Sequence, residues 1–162
     1  MNTRRTLLLT AVVLTLAGAV ALWAQGTPII IGDGSLTMTS QTVPWANWTT
    51  SGNTKSHPRG GQAVTQVVIT MPNNNQTIQF SNQQCTVRVT YAGTNIAVNT
   101  NPQGRALTMT TDFTAFHQGA NNTILEHNNA SQKISHVTVL KNGAQVFDSA
   151  ASGGTRIVIS YQ

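Results

Sequence analysis

Every second residue of CTVRVTY, Cys85 to Tyr91, is apolar or aromatic. In an extended chain, Cys85, Val87, Val89 and Tyr91 fall on one face, and Thr86, Arg88 and Thr90 on the other. The alternation returns in VTVLKNGAQVFD, Val137 to Asp148, where Asn142-Gly143 separates two alternating runs. Both central residues of a two-residue hairpin turn need positive φ, which Asn-Gly tolerates, so this segment reads as a tight β-hairpin. Beyond residue 24 no long stretch carries a helical period.

The remaining chain repeats the pattern in shorter pieces. Pro28 to Ile31 is an apolar run that ends at Gly32-Asp33-Gly34, a turn. SLTMTSQTV places Leu36 and Met38 on one face. Val64 to Met71 reads as a strand stopped by Pro72 and three asparagines. TIQFS, IAVN, ALTMT, DFTAFH, TILEH, Ile134 to Leu140 and TRIVISY follow, the third and fourth either separate or one bent strand. Ala92 to Asn95, NPQG, GANN and SAASGG supply turns or connections between them. Nine to eleven short antiparallel strands with frequent turns predict an all-β sandwich, Ig-like or jelly-roll, in which two sheets bury their apolar faces.

Residues 1–24 read as an export signal. Arg4 and Arg5 precede sixteen uncharged, mostly apolar residues, Leu7 to Leu22, and small residues follow. That run is just short of a membrane span, which needs about 17–25 residues. TRRTLL also resembles a twin-arginine signal, leaving the export route open. Residues 25–162 then form a single sandwich domain, placed in the periplasm, at the cell surface or outside a bacterial cell, with no further membrane span expected. Nine basic residues less Arg4 and Arg5 leave seven against four acids, a net charge of about +3 on the exported part. The seven are scattered, so nucleic-acid binding is not expected. The one cysteine, Cys85, lies in an alternating strand and is expected as a buried core thiol. Asn-x-Ser/Thr sequons at Asn47, Asn75, Asn121 and Asn129 follow from a composition rich in Asn and Thr.

Chemistry is sparsely signposted. The four acids, Asp33, Asp112, Glu126 and Asp148, are far apart in sequence and suggest no glycosidase pair. No phosphate loop or nucleophile elbow is present. The expectation is therefore no enzyme and no cofactor. His117, His127 and His136 are the candidate metal ligands, their segments converging if they pair, although spacings of ten and nine match no metal motif.

The stretch VPWANWTTSGNTKSHPRGG, Val43 to Gly61, carries two of the three tryptophans in a long connection. Sugars present apolar faces that stack on aromatic rings, and amides, hydroxyls and cations bond their oxygens. Trp45, Trp48, Asn47, Lys55, His57 and Arg59 are thus the candidate binding set. A sandwich also needs large rings to close its ends. If residues 43–48 are extended, the two rings face opposite sides, so one is expected in the core and one at the surface.

Two functional expectations follow. The first is an exported, non-enzymatic module that binds a polysaccharide or a surface protein through end loops including residues 43–61. The alternative is a structural subunit of a surface layer, matrix or pilus-like fibre, a homo-oligomer assembled by strand addition, with Ile29 to Ile31 as a strand that could be donated.

Overall fold

The computed structural model of the chain describes residues 27–33 and 36–162. The export-signal reading of residues 1–24 and the Gly34 end of the expected turn lie outside them.

Fourteen strands occur among the described residues. In chain order they are β1 (Thr27–Gly32), β2 (Thr37–Ser40), β3 (Thr49–Ser51), β4 (Thr54–Ser56), β5 (Val64–Thr70), β6 (Gln76–Gln79) and β7 (Cys85–Tyr91). There follow β8 (Thr94–Asn99), β9 (Thr108–Thr110), β10 (Phe116–Gln118), β11 (Ile124–His127), β12 (Ile134–Lys141), β13 (Ala144–Ala150) and β14 (Arg156–Tyr161). They form two seven-stranded sheets, β10-β11-β2-β1-β14-β5-β6 and β13-β12-β7-β8-β9-β4-β3, and all pairings are antiparallel. The expected all-β sandwich is the architecture found, with more strands than the nine to eleven expected. Among the described residues no helix is long and apolar enough to cross a membrane.

The chain lays down two or three strands in one sheet and then crosses to the other, until β14 inserts between β1 and β5. Alternation decides which side chains meet in the middle. Ile29, Ile31, Val67, Ile69, Ile157 and Ile159 come from the first sheet. Cys85, Val87, Val89, Val98, Val137 and Val139 come from the second. All are wholly buried, and they belong to one continuous apolar cluster. The predicted hairpin is present: β12 and β13 meet through Asn142 (φ 50°) and Gly143 (φ 78°). β1 is not free for donation in this arrangement, because it pairs with β14 on one side and β2 on the other.

The additional strands arise where the sequence lacks apolar alternation. TTSGNTKS folds into the β3–β4 hairpin with its side chains exposed or half-buried. The DFTAFH segment also breaks. Asp112 accepts the Thr114 amide and hydroxyl hydrogens and caps a 3-10 turn, Phe113–Ala115, before β10 begins.

Candidate functional site

The Trp45–Trp48 segment is not extended. Pro44 sets the entry with φ −54°, and Trp45–Asn47 makes a 3-10 turn in which the Trp48 amide donates to the Trp45 carbonyl at 3.2 Å. Residues i and i+3 eclipse in a 3-10 turn, so both rings fall on the same side. This corrects the expectation of one buried and one exposed ring. Trp45 and Trp48 are 2% and 3% exposed, with ring centroids 5.1 Å apart. Trp45 is anchored further by its indole Nε1–H, which donates to the Met38 carbonyl at 3.1 Å. The Trp48 indole nitrogen is buried without a hydrogen-bond acceptor.

The stack continues across the end of the sandwich. Trp48 meets His57 edge to face at 5.1 Å, and His57 meets Tyr161 in the same way at 5.1 Å. Such pairs contribute roughly 0.5–1.5 kcal/mol each beyond area burial. His57 is held because its backbone amide donates to the Leu107 carbonyl and its Nδ1 lies 3.1 Å from the Arg59 amide nitrogen. Nδ1 also lies 3.2 Å from the Arg59 carbonyl oxygen, so the tautomer decides whether it accepts from the Arg59 amide or donates to that carbonyl. Burial, reinforced by the nearby Arg59 charge, lowers the His57 pKa, although a hydrogen bond from a protonated Nδ1 to the Arg59 carbonyl opposes the shift. Burial likewise raises the pKa of Tyr161, whose hydroxyl faces that of Ser40 outside good hydrogen-bond geometry.

Above this stack lies an open cavity of about 160 Å³. Val43 and the Tyr161 ring form its apolar wall. Thr27, Thr42, His57, Arg59 and Gln62 complete the lining, and the Arg59 side chain is exposed there. The site joins distant parts of the chain because β1 pairs with β14, setting Thr27 opposite Tyr161, while the turns after β2 and β4 open at the same end. The volume is below the roughly 300–1,000 Å³ of a drug-sized ligand site. It suits one small polar group or one part of a larger ligand.

The six expected binding residues therefore separate. His57 and Arg59 line the cavity, and the tryptophans lie buried in the aromatic stack. Asn47 is exposed on the 3-10 turn and is not part of the lining. Lys55 points elsewhere, donating to the Thr50 hydroxyl at 2.9 Å and lying 5.1 Å from the Phe113 ring centre. Thr27, Thr42, Gln62 and Tyr161 were not legible as site residues, because only strand pairing and turn geometry bring them together.

The histidine set is also divided. β10 and β11 do pair, but the register sets His117 opposite Glu126 and His127 opposite Phe116, on alternate faces. His117 contacts Asn128 at 2.9 Å and Glu126 at 3.5 Å. His127 packs edgewise on Tyr91 and Phe116, and its Nδ1 accepts the Asn129 amide hydrogen at 3.0 Å. His136 lies in the other sheet, 2.8 Å from Asp148. Among the described residues no three His, Cys, Asp or Glu side chains gather in a way that could hold a metal ion.

The fold and this end cavity define a two-sheet antiparallel β-sandwich with a small cleft lined in part by His57 and Tyr161. No protein-family profile matches the chain, nor does any curated protein or solved structure.

Proposed function

We propose that the chain is an exported, non-enzymatic binding module that recognises a polysaccharide or a surface partner through one end of the sandwich. The observation that carries this reading is the open cavity at that end, where connections after β2 and β4 meet over a rigid ring stack. Hydroxyls, an amide and a guanidinium beside an apolar wall provide the donors, acceptors and contact surface that a sugar residue requires. The tryptophans are not part of the lining and reach the site only through the contact of Trp48 with His57. Export is proposed from residues 1–24.

Retention of the purified protein on a panel of insoluble polysaccharides tests the reading. A folded Gln62→Ala or Thr42→Ala variant is expected to bind more weakly than the parent. Failure of the parent to bind any member, together with recognition of no surface extract, refutes the module.

A second reading, assembly by strand addition, draws on β13. This seven-residue edge strand carries one charge, Asp148, and exposed Val146. An irregularity in its pairing with β12, between Val139 and Leu140, interrupts the edge and weakens it as a template. A monomer at high protein concentration would exclude this reading.

A further inference from the structure

The seven cations and four acids of the described residues are not mixed evenly along the sandwich. At the cavity end, Arg59 follows His57. Arg105 lies in the turn between β8 and β9, two residues before Leu107, whose carbonyl bonds the His57 amide. Lys141 ends β12 and donates to the Gln79 carbonyl at 2.8 Å. The acids lie elsewhere. Asp33 accepts the Gly154 amide hydrogen in a turn at the opposite end, and Asp112 follows β9 at that same end, next to Thr111, whose amide donates to the Asn53 carbonyl. Glu126 and Asp148 lie within strands and face His117 and His136. Among the described residues the ion pairs are those two, and neither involves Arg59.

Among the described residues Arg59 has no carboxylate partner, and beside a cavity whose other polar lining is hydroxyl and amide it favours an anionic oxygen ligand. A guanidinium offers five hydrogen-bond donors in a planar fork that matches a carboxylate. At about 30 Å³ per water-sized group, 160 Å³ holds roughly five such groups, the size of a carboxylate and part of its ring. A nucleic acid fits less well, because the rings that would stack bases are buried.

Resting on the binding reading above, we propose that the His57–Arg59 cavity takes a carboxylate-bearing sugar, so that the polymer recognised is a uronate-type acidic polysaccharide. Arg59 holds the carboxylate, Gln62 and the threonine hydroxyls bond the ring oxygens, and Arg105 and Lys141 draw the polyanion to this end.

The test compares retention of the purified protein on polygalacturonate, its methyl ester, neutral polysaccharides, dextran sulfate and single-stranded DNA, at about 0.15 M salt so that long-range attraction is screened. Arg59→Gln and Arg88→Gln remove the same charge. Arg88 is exposed on the outer face of β7, away from the cavity, and the Arg59 substitution keeps the backbone amide that binds His57. The expected result is preference for the free acid over its ester, with affinity falling about tenfold in Arg59→Gln and less than twofold in Arg88→Gln. Equal losses in both variants, or equal retention on dextran sulfate or DNA, mean general charge attraction and overturn the inference. Binding only to neutral or esterified polymer overturns the carboxylate assignment and leaves the binding module standing. No retention on any polysaccharide overturns the inference, and no recognition of a surface extract as well removes the binding module.

Discussion

Replacing each tryptophan of the end stack by phenylalanine separates two roles that the sequence does not distinguish. Trp45 and Trp48 are equally buried, yet their indole nitrogens differ. The Trp45 Nε1–H donates to the Met38 carbonyl, whereas the buried Trp48 nitrogen has no acceptor. In either position phenylalanine leaves a small void, costing about 1–2 kcal/mol. At Trp45 it also removes a satisfied bond to a strand carbonyl, adding about 0.5–1.5 kcal/mol. At Trp48 it removes an unsatisfied donor and recovers about 1 kcal/mol or more of desolvation cost. Trp45→Phe should therefore lose about 1.5–3.5 kcal/mol and Trp48→Phe about 0–1 kcal/mol. Urea titration followed by far-ultraviolet circular dichroism measures the difference without depending on the fluorescence of the altered ring. With a slope of about 2 kcal/mol/M, the midpoints should differ by about 1 M. Equal losses, or a larger loss at Trp48, would refute the assignment of hydrogen-bonded and orphaned indoles.

Four further outcomes rest on burial and close approach. Gly104 has φ +74°, and an added Cβ would lie 2.6 Å from the Asn82 backbone, so Gly104→Ala should cost about 2–4 kcal/mol by thermal or urea denaturation. The Cys85 thiol is buried and its pKa pushed up to about 12, so it should resist alkylation until the chain unfolds. Because the unfolded thiol loses its proton near pH 9.0 and the folded one does not, stability from this group is full below pH 9.0 and falls as pH rises toward 12; Cys85→Ala should flatten that alkaline loss. The lowered pKa of His57 acts at the acid side. Its contribution is present above pH 6.5 and falls below it as the unfolded ring takes up a proton first, so denaturation midpoints should drop on acidification less steeply in His57→Gln.

The legibility of the chain varied with how local each cause was. The β12–β13 hairpin was readable because Asn142 and Gly143 carry the required backbone conformation in their own chemistry. β7 was readable because one face of CTVRVTY had to be buried, as it is. β3 and β4 were not, since TTSGNTKS has no apolar face and is held as strands by pairing to β9. The Trp45–Trp48 pair was misjudged through one assumption. Alternation is a property of extended backbone, and the chain between Pro44 and Trp48 turns instead. His117 and His127 were brought into paired strands as expected, and the register then set them on opposite faces.

The sequence by itself determined an all-β architecture, the principal hairpin and the burial of Cys85. These depend on side-chain period and on φ preferences at single residues, both local quantities. Long-range contacts settled which strands became neighbours, that both tryptophans were buried, and that Thr27, Gln62 and Tyr161 joined His57 and Arg59 around one cavity. Those outcomes depend on contacts between residues as much as 134 positions apart, Thr27 to Tyr161, and no window of sequence contains both partners.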